Sequence, residues 1–192
     1  MVKIILASES SIKENAVKQW FKEKKISISI KKINIEDKLL PPQPLNTGGS
    51  LNCSDRIKYI KKKINDIEKY DFIISIENSI RTEEDHLVDN VHIRIVDILL
   101  DKEHYVEGGD IKITYKLLNE YNKIPQIIEE LIDSYKITNK LYIFDGCSDT
   151  FGDIVNKYYP NIPSNNWMKV MCGTDRKSQI LSVLNKLDGK IY

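Results

Sequence analysis

The chain is poor in the residues that build specialised sites. Its three cysteines, Cys53, Cys147 and Cys172, are an odd number with no C-x-x-C pair. That argues against a disulfide framework or a thiolate zinc centre and fits a reducing, cytoplasmic location. His86, His92 and His104 show no H-E-x-x-H spacing, which removes the commonest zinc hydrolase pattern. No apolar run approaches the roughly 20 residues of a membrane span. The opening MVKIILASES lacks the long apolar segment of a secretory signal. Charge of one sign is also missing: 29 Lys+Arg against 28 Asp+Glu give a net charge of +1. No global field draws the protein to nucleic acid or to an anionic membrane. Arginine is scarce, limited to Arg56, Arg81, Arg94 and Arg176. Each therefore marks a place where a forked, permanently charged donor is used instead of a lysine.

What is present is a core. Hydrophobic residues make up 41% of 192 residues, enough for a single domain spanning 1–192. Val2 to Ala7 reads as a buried strand, and Ile12, Ala16, Val17, Trp20 and Phe21 fall on one helical face. Ile26, Ile28 and Ile30 alternate with serines, the period of a half-buried strand. Strand, helix, strand in that order predicts a right-handed crossover and a mainly parallel region. The stretch EDKLLPPQPLNTGGS, 36–50, reads as a long irregular loop, followed by a helix capped by Ser50. DFIISIENSI reads as a buried strand ending at an acid, Glu77. Strands are expected around Val91–Ile95, Ile111–Tyr115, 140–145 and Lys169–Cys172. Helices are expected from Pro125 with Ile127, Ile128, Leu131, Ile132 and Tyr135 inward, over Phe151–Tyr158, and after a Thr174 cap. The fold class is mixed α/β, with hairpins in the middle and helices at both ends.

One lysine is out of place. In LASESSIKENAVKQWF, Ser11 and Glu14 have the S-x-x-E spacing of a capping box. Lys13 then lies in the first helical turn, at the positive end of the helix dipole, where a cation is disfavoured by roughly 0.3–1 kcal/mol. A negative partner would resolve this. The serine hydroxyls and free amides of a strand-turn-helix junction form a ready anion site, so Ser8, Glu9, Ser10, Ser11 and Lys13 are candidate phosphate binders. Read as structure alone, they are an ordinary helix cap below a solvated lysine. Glu77, placed at the carboxyl end of a buried strand, could hold a divalent cation and activate water. The Glu36-Asp37 pair could supply a second carboxylate. Arg56 and Arg176 suit phosphate or carboxylate contacts. The lysines of the second helix, Lys58 to Lys63, read as a solvated face, since no aromatic residues alternate with them as stacking platforms.

In this order the motifs resemble the inosine/xanthosine triphosphatases, which clear non-canonical purine nucleotides. The family pattern A-[ST]-x-N-P-x-K stands here as Ala7-Ser8-Glu9-Ser10-Ser11-Ile12-Lys13. Its acid followed by P-x-Q-P stands as Asp37 and Pro41-Pro42-Gln43-Pro44. Its G-A-x-N-R helix start is matched by Asn52-Cys53-Ser54-Asp55-Arg56. The strand D-F-x-[IV]-x-[IV]-E-x-G-[IV] is matched by Asp71 to Ile80, and G-x-x-[ST]-R by Gly173-Thr174-Asp175-Arg176. The departures are Ser10 and Ser11 for the family Asn and Pro, Ser79 for the glycine after the acid, and Asn52-Cys53 for Gly-Ala. The E-L-G stretch is at best Thr150-Phe151-Gly152.

The resemblance implies an elongated mixed sheet with flanking helices and two lobes around a nucleotide cleft. It implies hydrolysis of ITP and XTP to the diphosphate and orthophosphate, and a homodimer. Carried over by residue, Ser8 to Lys13 with Arg56 and Arg176 would bind the substrate. Asp37 and Glu77 would hold Mg²⁺ or Mn²⁺, and Glu77 with Lys13 would form the catalytic pair. Three alternatives stand beside it: a nucleotide-binding protein with impaired catalysis, a diphosphatase releasing pyrophosphate, and a nucleic-acid-binding protein using the lysine face of the second helix, which the near-neutral net charge disfavours. A membrane partner is not expected.

Overall fold

The computed structural model describes residues 1–35, 40–83, 86–113, 122–138 and 145–191. Its centre is a five-stranded sheet ordered β2-β1-β4-β5-β6. Strand β1 (Val2–Leu6) runs parallel to both β2 (Ile28–Lys32) and β4 (Phe72–Glu83). From β4 the chain turns into an antiparallel meander through β5 (His86–Asp97) and β6 (Lys102–Ile113). The sheet is therefore mixed: the expected crossover is parallel, and the hairpins are not.

Strand alternation explains how helices cover both faces. Ile4 and Leu6 of β1 point to one side, with Ile74 and Ile76 of β4. There they meet Ala16, Val17 and Trp20 of α1 (Ser11–Glu23) and Ile180, Val183 and Leu184 of α6 (Arg176–Leu184). Ile5, Ala7 and Ile73 point to the other side, against Ile57 and Ile60 of α2 (Gly48–Lys63). Each of these isoleucines is at most 3% exposed, and each burial contributes about 1.5–3 kcal/mol before the cost of ordering the chain. A third cluster forms beyond the end of β1. There α3 (Ile124–Thr138), α4 (Phe151–Tyr158) and α5 (Trp167–Cys172) pack Ile127, Leu131, Phe151, Ile154, Trp167 and Met171 against Ile80 and Leu87. A two-strand ribbon of β3 (Gln43–Pro44) and β7 (Gly146–Cys147) bridges toward it.

Several local expectations change. Helix α2 begins at Gly48, inside the stretch read as loop, with Thr47 in the cap position and making no side-chain cap bond. Ser50 is within the helix. Lys169–Cys172 belongs to α5 and is not a strand, because Trp167, Met168 and Met171 share one buried helical face. Asp175, not Thr174, caps α6, accepting from the Ser178 amide. Ile132 is 47% exposed and does not face inward. Glu77 lies within the 12-residue β4 and does not end it. Tyr115 and the 140–144 part of the expected strand fall outside the described residues.

Candidate functional site

The turn after β1 is tight. The Ser8 amide donates to the Leu6 carbonyl at 2.8 Å, and the Ser8 hydroxyl accepts from the Ser10 amide at 3.2 Å. Ser10 is the cap of α1; its Oγ accepts from the Lys13 amide at 3.4 Å. The expected Ser11–Glu14 capping box does not form, since Glu14 turns to Lys18 at 2.6 Å and Lys32 at 3.1 Å. Lys13 is nevertheless in the first turn. Its side chain bends back over β4, and Nζ lies 3.3 Å from Glu77 Oε1. The negative partner for the misplaced lysine is thus inside the protein.

Arg56 reaches the same oxygen from α2, with Nε at 2.6 Å from Glu77 Oε1, while its Nη1 donates to the Ala7 carbonyl at 3.4 Å. The family-like stretch Asn52–Arg56 lies in the middle of α2 and does not start it. The Glu77 side chain is 8% exposed. Burial raises its pKa, but Arg56 and then Lys13 outweigh burial and hold the carboxyl below its ordinary range. Burial lowers the pKa of Lys13, opposed by Glu77. Nearby, burial and Glu77 push the Cys53 thiol up to about 12, so it stays protonated and inert as a nucleophile at neutral pH. Two cations on one carboxylate leave a locally positive spot. The contacts from both cations are made to Oε1.

Lys13 and Glu77 form the floor of a cleft of about 320 Å³, lined also by Ser10, Asn78 and Arg176; Arg56 contacts Glu77 but does not itself line the cleft. The opposite wall is the start of α4 with the Ser164–Trp167 segment. Thr150 caps α4 by accepting from the Asp153 amide at 3.1 Å. Buried Gln43, from the P-x-Q-P stretch, accepts from the Phe151 amide at 3.1 Å. A Cβ on Gly152 would lie 2.0 Å from the Ser164 carbonyl oxygen, so only glycine permits this wall to close. Arg176 lines the cleft, but its guanidinium is committed to buried Asp89, at 2.5 and 3.0 Å. Gln179 and Asn78 bond the same carboxylate at 2.9 and 3.0 Å.

The structure therefore brings Lys13, Arg56 and Glu77 into contact, with Ser10 and Arg176 beside them. Ser8 is buried beneath the turn, Glu9 and Ser11 are exposed, and none of the three lines the cleft. Asp37 lies outside the described residues. Residues missed from sequence are Gln43, Asn78, Asp89 and Gln179. The signal for Asp89 and Gln179 was a charge and an amide on otherwise apolar faces.

Among the described residues no group of three or more His, Cys, Asp or Glu could hold a metal ion. The donor set does fit an ion carried in with phosphate groups. Magnesium is commonly bound by one or two carboxylates plus substrate oxygens and water, and Glu77 supplies one carboxylate to the cleft lining.

The fold and the cleft define a mixed α/β protein with a polar cleft beside the turn that follows β1, lined by Lys13 and Glu77. No family model matches the chain, and no curated protein sequence does. Among solved structures the chain is similar to protein VC0702 from Vibrio cholerae, at 13% identity and TM-score 0.63 over 100% of this chain and 99% of that one. That likeness shows the fold. A nucleoside-triphosphatase / dITP/XTP pyrophosphatase from Mycobacterium abscessus aligns over 58% of this chain and 71% of its own, at 10% identity and TM-score 0.39. That match is too partial to argue from. No helix among the described residues is long and apolar enough to cross a membrane.

Proposed function

We propose that the protein hydrolyses nucleoside triphosphates of non-canonical purines, ITP and XTP, to the diphosphate and orthophosphate. The observation that carries this reading is the convergence of Lys13 and Arg56 on Glu77 at the floor of the cleft. An arriving triphosphate offers Lys13 a better partner than Glu77, with the first turn of α1 favouring the same negative charge. Lys13 moves from Oε1 to a phosphate oxygen, while Arg56 keeps the carboxylate in place. Because Arg56, the stronger of the two influences that favour the ionised carboxylate, stays beside it, Glu77 is an acceptor able to orient a water molecule toward the terminal phosphorus. Mg²⁺ or Mn²⁺, held by Glu77 and Asp37, would neutralise charge on the phosphate oxygens when bound. Arg176 acts through Asp89, fixing Asn78 beside the phosphates. A homodimer is part of the same reading, tested by sedimentation equilibrium.

The test is incubation of the purified protein with ITP, XTP and the four standard triphosphates, with and without Mg²⁺, followed by product identification. Orthophosphate released from ITP and XTP only with metal is the expected result. Pyrophosphate release would assign a diphosphatase to the same cleft. Nucleotide binding without turnover would make it a binding protein, as the serines at the family Asn and Gly positions would allow.

A further inference from the structure

Ser79 lies two residues beyond Glu77 on the same face of β4, and it begins a second cluster. Its Oγ is 2.7 Å from His92 Nε2. His92 Nδ1 is 2.8 Å from the Tyr105 hydroxyl. That hydroxyl donates to Glu107 Oε2 at 2.5 Å, and the same carboxylate oxygen is 3.4 Å from Nδ1. The proton positions follow from the acid end. A carboxylate only accepts, so Tyr105 donates to Glu107 and its oxygen accepts from His92 Nδ1–H. Nε2 of the neutral ring then carries a lone pair, and the Ser79 hydroxyl donates to it.

These four residues line a cavity of about 410 Å³ whose rim includes Thr47 and Ser50 of the α2 start. Ser79 is 1% and His92 3% exposed, and both are wall residues of this cavity. The α2 backbone lies flat against the ring: a Cβ on Gly49 would sit 2.2 Å from His92 Cδ2. The positive end of this 16-residue helix edges the cavity, where it would favour a developing oxyanion. The cation on the wall, Arg81, is held by Glu83 at 2.9 Å and Asp110 at 2.8 Å. With Glu107 also present, the cavity suits an uncharged electrophile and not a phosphate.

We propose that Ser79 is the nucleophile of a second site, activated by His92 and oriented through Tyr105 and Glu107, which cleaves a small carboxylic ester. Ser79 Oγ bonds to the acyl carbon as its proton passes to His92 Nε2. The imidazolium gives that proton to the departing alcohol oxygen as the ester C–O bond breaks. Water repeats the sequence on the acyl-serine, releasing the carboxylic acid and restoring Ser79.

The test uses the full chain and a small fluorophosphonate, with p-nitrophenyl acetate as the ester. The expected result is a single adduct mapped to Ser79 by peptide mass spectrometry, and p-nitrophenol release that the adduct blocks. His92→Gln should lower the labelling rate by about 100-fold or more, with an unchanged circular dichroism spectrum. Tyr105→Phe, a milder change at a partly exposed position, should lower it less and shift its pH profile, since the ring then loses its fixed tautomer. No adduct at Ser79 overturns the proposal, as does an adduct formed at equal rate in both variants. Neither outcome touches the triphosphate cleft, which has its own assay.

Discussion

Replacing Glu77 by glutamine leaves Lys13 and Arg56 facing each other without a counter-charge. Removing one member of a buried pair costs about 3–5 kcal/mol; the partial exposure of both cations, 17% and 19%, places Glu77→Gln near the lower end, about 3 kcal/mol. Urea denaturation should show this loss together with loss of triphosphate turnover, and inorganic triphosphate should restore part of the stability. Full turnover in Glu77→Gln would remove Glu77 from the mechanism. The pH dependence has a definite sign. Arg56 and Lys13 hold the folded carboxyl below its unfolded pKa, so its contribution is present above about pH 4 and is lost as pH falls through the lower folded value. The stability gap between wild type and Glu77→Gln should therefore close on acidification below about pH 4; a gap of constant size would contradict the ion pairs. Lys13→Ala should weaken binding of a non-hydrolysable triphosphate about 10- to 100-fold by calorimetry. At this scale the sequence was informative: a lysine at the wrong end of a helix was a visible anomaly. That its partner is Glu77 was not visible, because the contact joins α1 to a strand far along the chain.

Helix ends and short elements shaped the cleft in ways that local pattern did not reveal. Capping moved by one residue at α1, from Ser11 to Ser10, because Ser8 and Ser10 bond each other across the turn. The Gly48-Gly49 pair, which looked like loop punctuation, starts α2, since glycine lets the helix press against neighbouring groups. The six residues of α5 are too few for periodicity to separate a strand from a helix. The long elements were legible: the apolar run read as a buried strand is β4, the Val91–Ile95 strand is β5, and the α1 stripe of Ala16, Val17, Trp20 and Phe21 is buried as expected. The cleft wall makes its own prediction. Gly152→Ala forces a methyl against the Ser164 carbonyl, so it should cost about 1–3 kcal/mol by chemical denaturation and widen the cleft, raising KM. Gln43→Leu, which strips the Phe151 amide of its acceptor, should cost about 1–3 kcal/mol.

Across the whole molecule, the near-zero net charge in the sequence carries over to a structure whose charge is organised locally and not as one field. The α2 lysines are largely solvated, Lys58 paired with Asp55 at 2.7 Å and Lys61 with Asp101 at 3.7 Å. Composition could give the balance but not the sheet order, because pairing β1 with β4 and docking Arg176 on Asp89 bring together segments that no local rule connects. The ribbon from β4 to β6 has a further consequence. Glu77 and Ser79 sit about 7 Å apart along one strand, facing the same side. A slip of one residue in the pairing of β4 with β5 would turn both away at once. Correct register is thus a single folding decision that both places inherit, and amide hydrogen exchange along residues 76–80 reports on the two together. A triphosphate bound at Lys13 should slow exchange at Ser79 as well as at Glu77; protection that stops at Glu77 would show that the strand opens in smaller pieces than its hydrogen-bonded ladder implies.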